Sequence, residues 1–112
     1  MRKIKWSGCN TSKNIWWNKK ADSYKELWDL LLIRNLVHNE DYDKYLFYKY
    51  GVTESDFYDT DGEWLDDKYF EFVNTHWLEE DEYKELIKSC DGNAYYQWFW
   101  EWNEELSDYV EV

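Results

Sequence analysis

Residues 91–103 read DGNAYYQWFWEWN, and here the hydrophobic period of the chain changes. Asp91-Gly92-Asn93 is turn chemistry that ends the helical pattern before it. Beyond it the side chains alternate with period two. Tyr96, Trp98, Trp100 and Trp102 fall on one face of a strand, with Tyr95, Gln97, Phe99 and Glu101 on the other. Asn103 to Ser107 turns the chain back into Asp108-Tyr109-Val110-Glu111-Val112, making a C-terminal hairpin. The preferred expectation for Trp98, Trp100 and Trp102 is a sheet face packed under helices. The alternative is an open platform on which sugar rings stack.

The opposite end of the chain has the same character. Ile4 and Trp6 alternate with Lys3, Lys5 and Ser7, Gly8-Cys9-Asn10-Thr11-Ser12 supplies a turn, and Ile15-Trp16-Trp17 forms a second short strand. The middle is helical. Ser23 followed by Glu26 is a capping-box pattern, and Tyr24, Leu27, Trp28 and Leu31 form an amphipathic stripe, predicting a helix to about Val37. Asn39 or Asp41 caps a second helix, with Tyr42, Tyr45, Leu46 and Tyr50 on one side and Gly51 as its terminator. Thr53 and Asp56 suggest a short helical turn carrying Phe57, and 59–63 reads as a loop. A third helix is expected from near Leu65, burying Phe70, Val73 and Trp77. A fourth, from about Glu79 to Cys90, turns Tyr83, Leu86, Ile87 and Cys90 inward, and its acidic start suits the positive end of the helix dipole. The predicted architecture is α+β: one domain spanning 1–112, with a small antiparallel sheet from the N- and C-terminal hairpins packed against three to four helices. Its parts are a basic N-terminal hairpin (1–20), an acidic helical middle (21–91) and an aromatic C-terminal hairpin (94–112), without internal repeats or low-complexity segments.

Charge is sorted along this chain. The 112 residues hold 13 Lys and Arg against 25 Asp and Glu, a net of −12. Residues 1–25 carry seven bases (Arg2, Lys3, Lys5, Lys13, Lys19, Lys20, Lys25) and one acid, Asp22, a net of +6 that leaves −18 for the remainder. Such a surface repels nucleic acid and membranes and attracts proteins built to hold polyanions. With 9 Trp, 11 Tyr and 5 Phe the chain is not a disordered acidic tail, since those are poor in aromatics. Twenty Trp and Tyr tips exceed what a core can satisfy, so amphipathic aromatic surface suited to an interface is expected. Cys9 and Cys90 read as free thiols in a reducing compartment, and the longest aliphatic run, Leu30 to Ile33, is too short to span a bilayer. These features predict a soluble cytoplasmic protein. The absence of proline and the abundance of Lys, Asn, Tyr, Asp and Glu match AT-rich codon usage, as in low-GC bacteria and their mobile elements.

The acids form the main chemical constellation. Glu79, Glu82 and Glu85 stand three apart on a helix with Glu80 and Asp81 beside them, and carboxylates so spaced lie about 5–6 Å apart, comparable to phosphates along a strand. Asp56, Asp59, Asp61, Glu63, Asp66 and Asp67 make a second acid-dense stretch ahead of Glu71, with Tyr58, Trp64 and Tyr69 among them as aromatic anchors. Either these groups imitate a phosphate backbone or they are ordinary solvated faces. Lys13, Lys19 and Lys20, interleaved with Trp16 and Trp17, are expected to fold against the acidic body rather than hold single-stranded nucleic acid. No cofactor or metal is expected. Placing Gly62 at the glycine of a calcium loop puts Phe57 and Lys68 where ligands belong, and Cys9, His38, His76 and Cys90 lack zinc-site spacing. No phosphate loop, nucleophile elbow or HExxH motif is present, so no enzymatic activity is predicted.

In size, acidity and lack of catalytic motifs the chain resembles the small inhibitors used in conflicts over nucleic acid: DNA-mimicking anti-restriction proteins, anti-CRISPR proteins and immunity proteins that block nuclease toxins. The likeness is one of general character and rests on no family motif. It implies a protein that binds and blocks a nucleic-acid-handling enzyme such as a restriction enzyme, nuclease or CRISPR effector in the host cytoplasm. The partner surface would comprise Asp56, Asp59, Asp61, Glu63, Trp64, Asp66, Asp67, Glu79, Glu80, Asp81, Glu82 and Glu85, on a monomer or homodimer that touches neither nucleic acid nor membrane. A carbohydrate- or peptide-binding module using the aromatic strand is the alternative.

Overall fold

A computed structural model describes residues 3–90, 92–94 and 96–112. The expected break at Asp91 and the expected place of Tyr95 on the strand face opposite the tryptophans lie outside these. Strands β1 (Ile4–Asn10) and β2 (Ile15–Ala21) form the N-terminal hairpin, and β3 (Tyr96–Asn103) and β4 (Asp108–Glu111) the C-terminal one. They join through β1 and β3 into one antiparallel sheet of order β2-β1-β3-β4. Between them run α1 (Tyr24–Ile33), α2 (Asn39–Tyr50), a 3-10 turn (Glu54–Phe57), α3 (Asp66–Thr75) and α4 (Glu80–Ser89). The fold is α+β, drawn out to 55 × 36 × 19 Å. No described helix is long and apolar enough to cross a membrane.

Alternation and register sort the sheet residues onto two faces. Ile4 lies opposite Ala21 and Glu101, and Trp6 opposite Lys19 and Phe99. From this inner face Ile4, Trp6, Ala21 and Phe99 pack against Tyr24, Leu27, Trp28 and Leu31 of α1 and Tyr83, Leu86 and Ile87 of α4. A one-residue strand alternation therefore reverses the expectation for β3. Phe99 is the ring under the helices, while Tyr96, Trp98, Trp100 and Trp102 stand on the other face, with Tyr96 55% exposed.

Other boundaries also shift for local reasons. The N-terminal turn falls at 11–14, because Gly8, Cys9 and Asn10 continue β1 in register with Trp17, Trp16 and Ile15. Asn10, buried, ties this turn together: its carbonyl accepts from Ser12 Oγ and Lys13 N, and its amide donates to Asn93 O. Helix α1 stops four residues before Val37. Asn35 adopts a left-handed conformation (φ 58°) and the Leu36 N–H closes back on Leu31 O at 2.9 Å, sending Leu36 and Val37 into the core as loop. Gly51, at φ 68°, ends α2 as expected. At its start, however, the helix is capped by His38 in extended backbone without a side-chain hydrogen bond, and Asn39 and Asp41 lie inside its first turn.

Helix α3 buries no residue fully, and both Phe70 and Trp77, expected inside, are more than half exposed. Val73 turns inward as expected, but beside it stand Tyr69 and Phe72, because α3 leans on α2 and the 3-10 turn rather than on the sheet. There Phe47 stacks on Phe57 at 5.0 Å and meets Phe72 at 5.8 Å and Tyr69 at 6.4 Å. His76 closes this second aromatic cluster, its ring 4.2 Å from Phe72 and 4.4 Å from Tyr50.

Candidate functional site

The acidic residues divide by what their oxygens do. In the 3-10 turn, Asp56 accepts the Thr53 N–H at 2.8 Å and completes a capping box. Asp59 Oδ1 accepts the N–H groups of Asp61 and Glu63, both at 2.9 Å, folding the 59–63 loop around Gly62 at φ 81°. At the start of α4, Glu79 and Glu82 cap each other's backbone N–H groups. Glu82 also receives the Lys49 ammonium. Burial works against that carboxylate, but the Lys49 hydrogen bond, the Glu79 N–H and the Lys49 charge outweigh it and hold Glu82 below the usual carboxylate range. Lys49 is correspondingly raised, chiefly by the same hydrogen bond. Glu80 accepts the Lys25 N–H at 2.7 Å and so pins α4 to α1. Asp56, Asp59, Glu79, Glu80 and Glu82 therefore serve the fold.

Asp61, Glu63, Asp66, Asp67, Asp81 and Glu85 remain exposed. Among the described residues, no hydrogen bond or ion pair engages the carboxylates of Asp61, Glu63, Asp66 or Asp67. These four flank Trp64 in sequence. Its half-buried indole packs on Tyr58, Tyr69 and Phe57 at 5.1, 5.3 and 5.8 Å, and Tyr58 and Trp64 are bridged backbone to backbone.

Trp64 also walls a groove of about 580 Å³ with Phe47, Tyr48 and Val52, rimmed by Glu40, Asp43, Glu54, Lys44 and Thr53. Burial raises the pKa of Asp43, with the charge of Glu40 acting the same way, against the Tyr69 hydroxyl that donates to it at 2.7 Å. The groove thus offers an aromatic floor and three carboxylates against one lysine, a setting for a cationic side chain. Reading the sequence alone missed Glu40, Asp43, Glu54 and Tyr48. The first two sit on α2, remote in sequence from Trp64, and only the packing of α3 on α2 brings them to it. Tyr48, 86% exposed, carried a signal in falling off the apolar stripe of its helix.

The expected row Glu79–Glu82–Glu85 exists on α4, but its three members have different roles. Cys9 and Cys90 form no disulfide, and among the described residues no three His, Cys, Asp or Glu side chains converge on a metal position. His76 Nδ1 lies 2.9 Å from Phe72 O. No protein-family model matches the chain, and no curated protein matches it significantly.

Proposed function

We propose that this protein is a stoichiometric inhibitor that binds a basic nucleic-acid-handling enzyme in the cytoplasm of a host cell and blocks its nucleic-acid groove. The observation that carries this reading is the set of unengaged carboxylates, Asp61, Glu63, Asp66 and Asp67, beside an acid-rimmed groove floored by Trp64 and Phe47. The carboxylates stand in for phosphates and steer the encounter, while the groove takes an Arg or Lys side chain of the partner. Trp64, held by its aromatic neighbours, is a preordered anchor that loses little freedom on binding. Residues 39–90 hold sixteen acids and five lysines, a net of −11 that repels nucleic acid itself. The role involves no bond-making step.

The test is capture from bacterial lysate on the tagged chain, eluted with excess duplex DNA and separately with rising salt. A nuclease, restriction enzyme or CRISPR effector released by duplex DNA is expected. Reversing Asp61, Glu63, Asp66 and Asp67 to Lys should weaken inhibition of that enzyme by about 100-fold or more. Reversing Glu104, Glu105 and Asp108 on the sheet side should do far less. Equal losses from the two sets, or no nucleic-acid enzyme retained, would sink the reading.

A second reading, carbohydrate or peptide binding, is favoured by the outward position of Trp98, Trp100 and Trp102. It gives the acid-rimmed groove no part, and Ser7 and Asn18, the polar side chains between the rings, are bonded to each other.

A further inference from the structure

The outer face of the sheet is lined by aromatic rings whose ring contacts, among the described residues, are with one another. Trp16 lies on Trp98 with centroids 6.3 Å apart and planes within 11°, and Tyr96 stacks on Trp98 at 6.1 Å. Trp102 meets Tyr109 at 5.4 Å, and the Lys5 ammonium sits 4.8 Å from the Trp100 ring and 5.1 Å from that of Tyr109. Trp16 remains 63% exposed and Tyr96 55%. Ser7 and Asn18, the polar side chains between the rings, are bonded to each other at 2.6 Å.

The two edges of the sheet have opposite charge, with Lys20 and Glu111 on this outer face and Lys19 and Asp108 on the inner one. The β2 edge and its turn carry Lys13, Lys19 and Lys20 without an acid, whereas 103–112 carry Glu104, Glu105, Asp108 and Glu111 without a base. One outward row runs Lys20, Lys5, Trp100, Glu111 from edge to edge. We propose that the outer sheet face is the contact between two copies of this chain, stacked about a two-fold axis that runs along the strands. That axis reverses left and right while preserving height along the strand. Lys20 of one copy then meets Glu111 of the other, Lys5 meets Trp100, and Ser7 meets Trp98. An axis across the strands would instead set Lys20 on Lys20 and Glu111 on Glu111.

The self-bonded polar pair and self-stacked rings suit a flat apolar partner better than a sugar, which needs free hydrogen-bonding groups. Four strands at about 4.8 Å and about seven residues at 3.3 Å give roughly 450 Å² a side. The total, about 900 Å² before side-chain relief, lies at the lower end of specific interfaces, so Kd is micromolar or weaker. Both acidic helical sides are left facing outward. This dimer stands independently of the inhibitory role proposed above.

Sedimentation equilibrium of the full chain from about 1 µM to 1 mM tests it. A monomer–dimer equilibrium is expected, weakened at least tenfold in Trp16→Ser, Glu111→Lys and Lys20→Glu, each with unchanged circular dichroism. The double variant Lys20→Glu/Glu111→Lys should restore it, because the swapped charges again oppose across this axis only. A chain that stays monomeric, or a double variant as weak as either single one, overturns the proposal. Were the monomeric chain to bind a glucan hexasaccharide through Trp16, the face would be a sugar platform and the two-copy contact would also fall. None of these outcomes depends on whether a nucleic-acid enzyme is captured.

Discussion

At the scale of single residues, two glycines are set by what lies against them. A Cβ at Gly8 would come within 2.6 Å of Trp6 Cη2, 2.8 Å of Cζ2 and 3.0 Å of Tyr96 O. Trp6 is 1% exposed and its Nε1 donates to Gln97 Oε1 at 3.2 Å, so the indole has little room to move. Overpacking opposes the usual gain of Ala over Gly in a strand, and Gly8→Ala should cost about 1–2 kcal/mol in urea unfolding. An unchanged or higher midpoint would show that the ring shifts freely. Gly92 is tighter still: a Cβ there would lie 1.7 Å from Leu36 O, where the Asn93 N–H also bonds. In the sequence Gly8 looked like turn material and Gly92 like a helix breaker. The ring that requires Gly8 belongs to Trp6, two residues back in the same strand, whereas the carbonyl that requires Gly92 comes from Leu36 in a distant segment.

At the scale of elements, the helices follow local signals closely. Ser23 Oγ accepts the Glu26 N–H at 3.1 Å, as the capping pattern predicts, while the Glu26 carboxylate reaches back to Asp22 N at 3.1 Å instead of to Ser23 N. Ser23→Ala should therefore cost about 1 kcal/mol in chemical denaturation, without altering the sheet. A negligible change would mean that packing of Tyr24 and Leu27 holds the first turn alone. The stripes of α1 and α4 were legible because both pack on the sheet with the 3.6-residue period. That of α3 was not: its partners are the 3-10 turn and the far side of α2, so Phe72 is drawn in and Phe70 left out.

At the scale of the molecule, buried Tyr24 and Tyr83 and half-buried Tyr69 tie stability to pH. Burial raises Tyr24, Tyr69 and Tyr83 well above the usual value of 10.0, helped by Glu101, Asp43 and Tyr42 respectively. Each folded value exceeds the unfolded one. Their contribution is therefore complete below pH 10 and is lost as pH climbs above it, where only the unfolded chain ionises readily. The melting temperature should hold from pH 8 to 9 as far as these groups govern it, then fall steeply toward about pH 12. A flat profile to that pH would refute the assignment.

The sequence by itself determined the α+β class, the two hairpins, the Ser23 and Gly51 caps and the separation of charge, because each is written in neighbours no more than a few positions apart. The tertiary structure decided which face of β3 meets the helices, since a strand with rings on both faces has no alternation strong enough to choose. It also decided which acids serve the fold and which stand free. Asp59 and Asp61 are chemically alike and two residues apart, yet one holds a loop together and the other faces water. That division follows from backbone N–H groups whose positions exist only once the chain has folded.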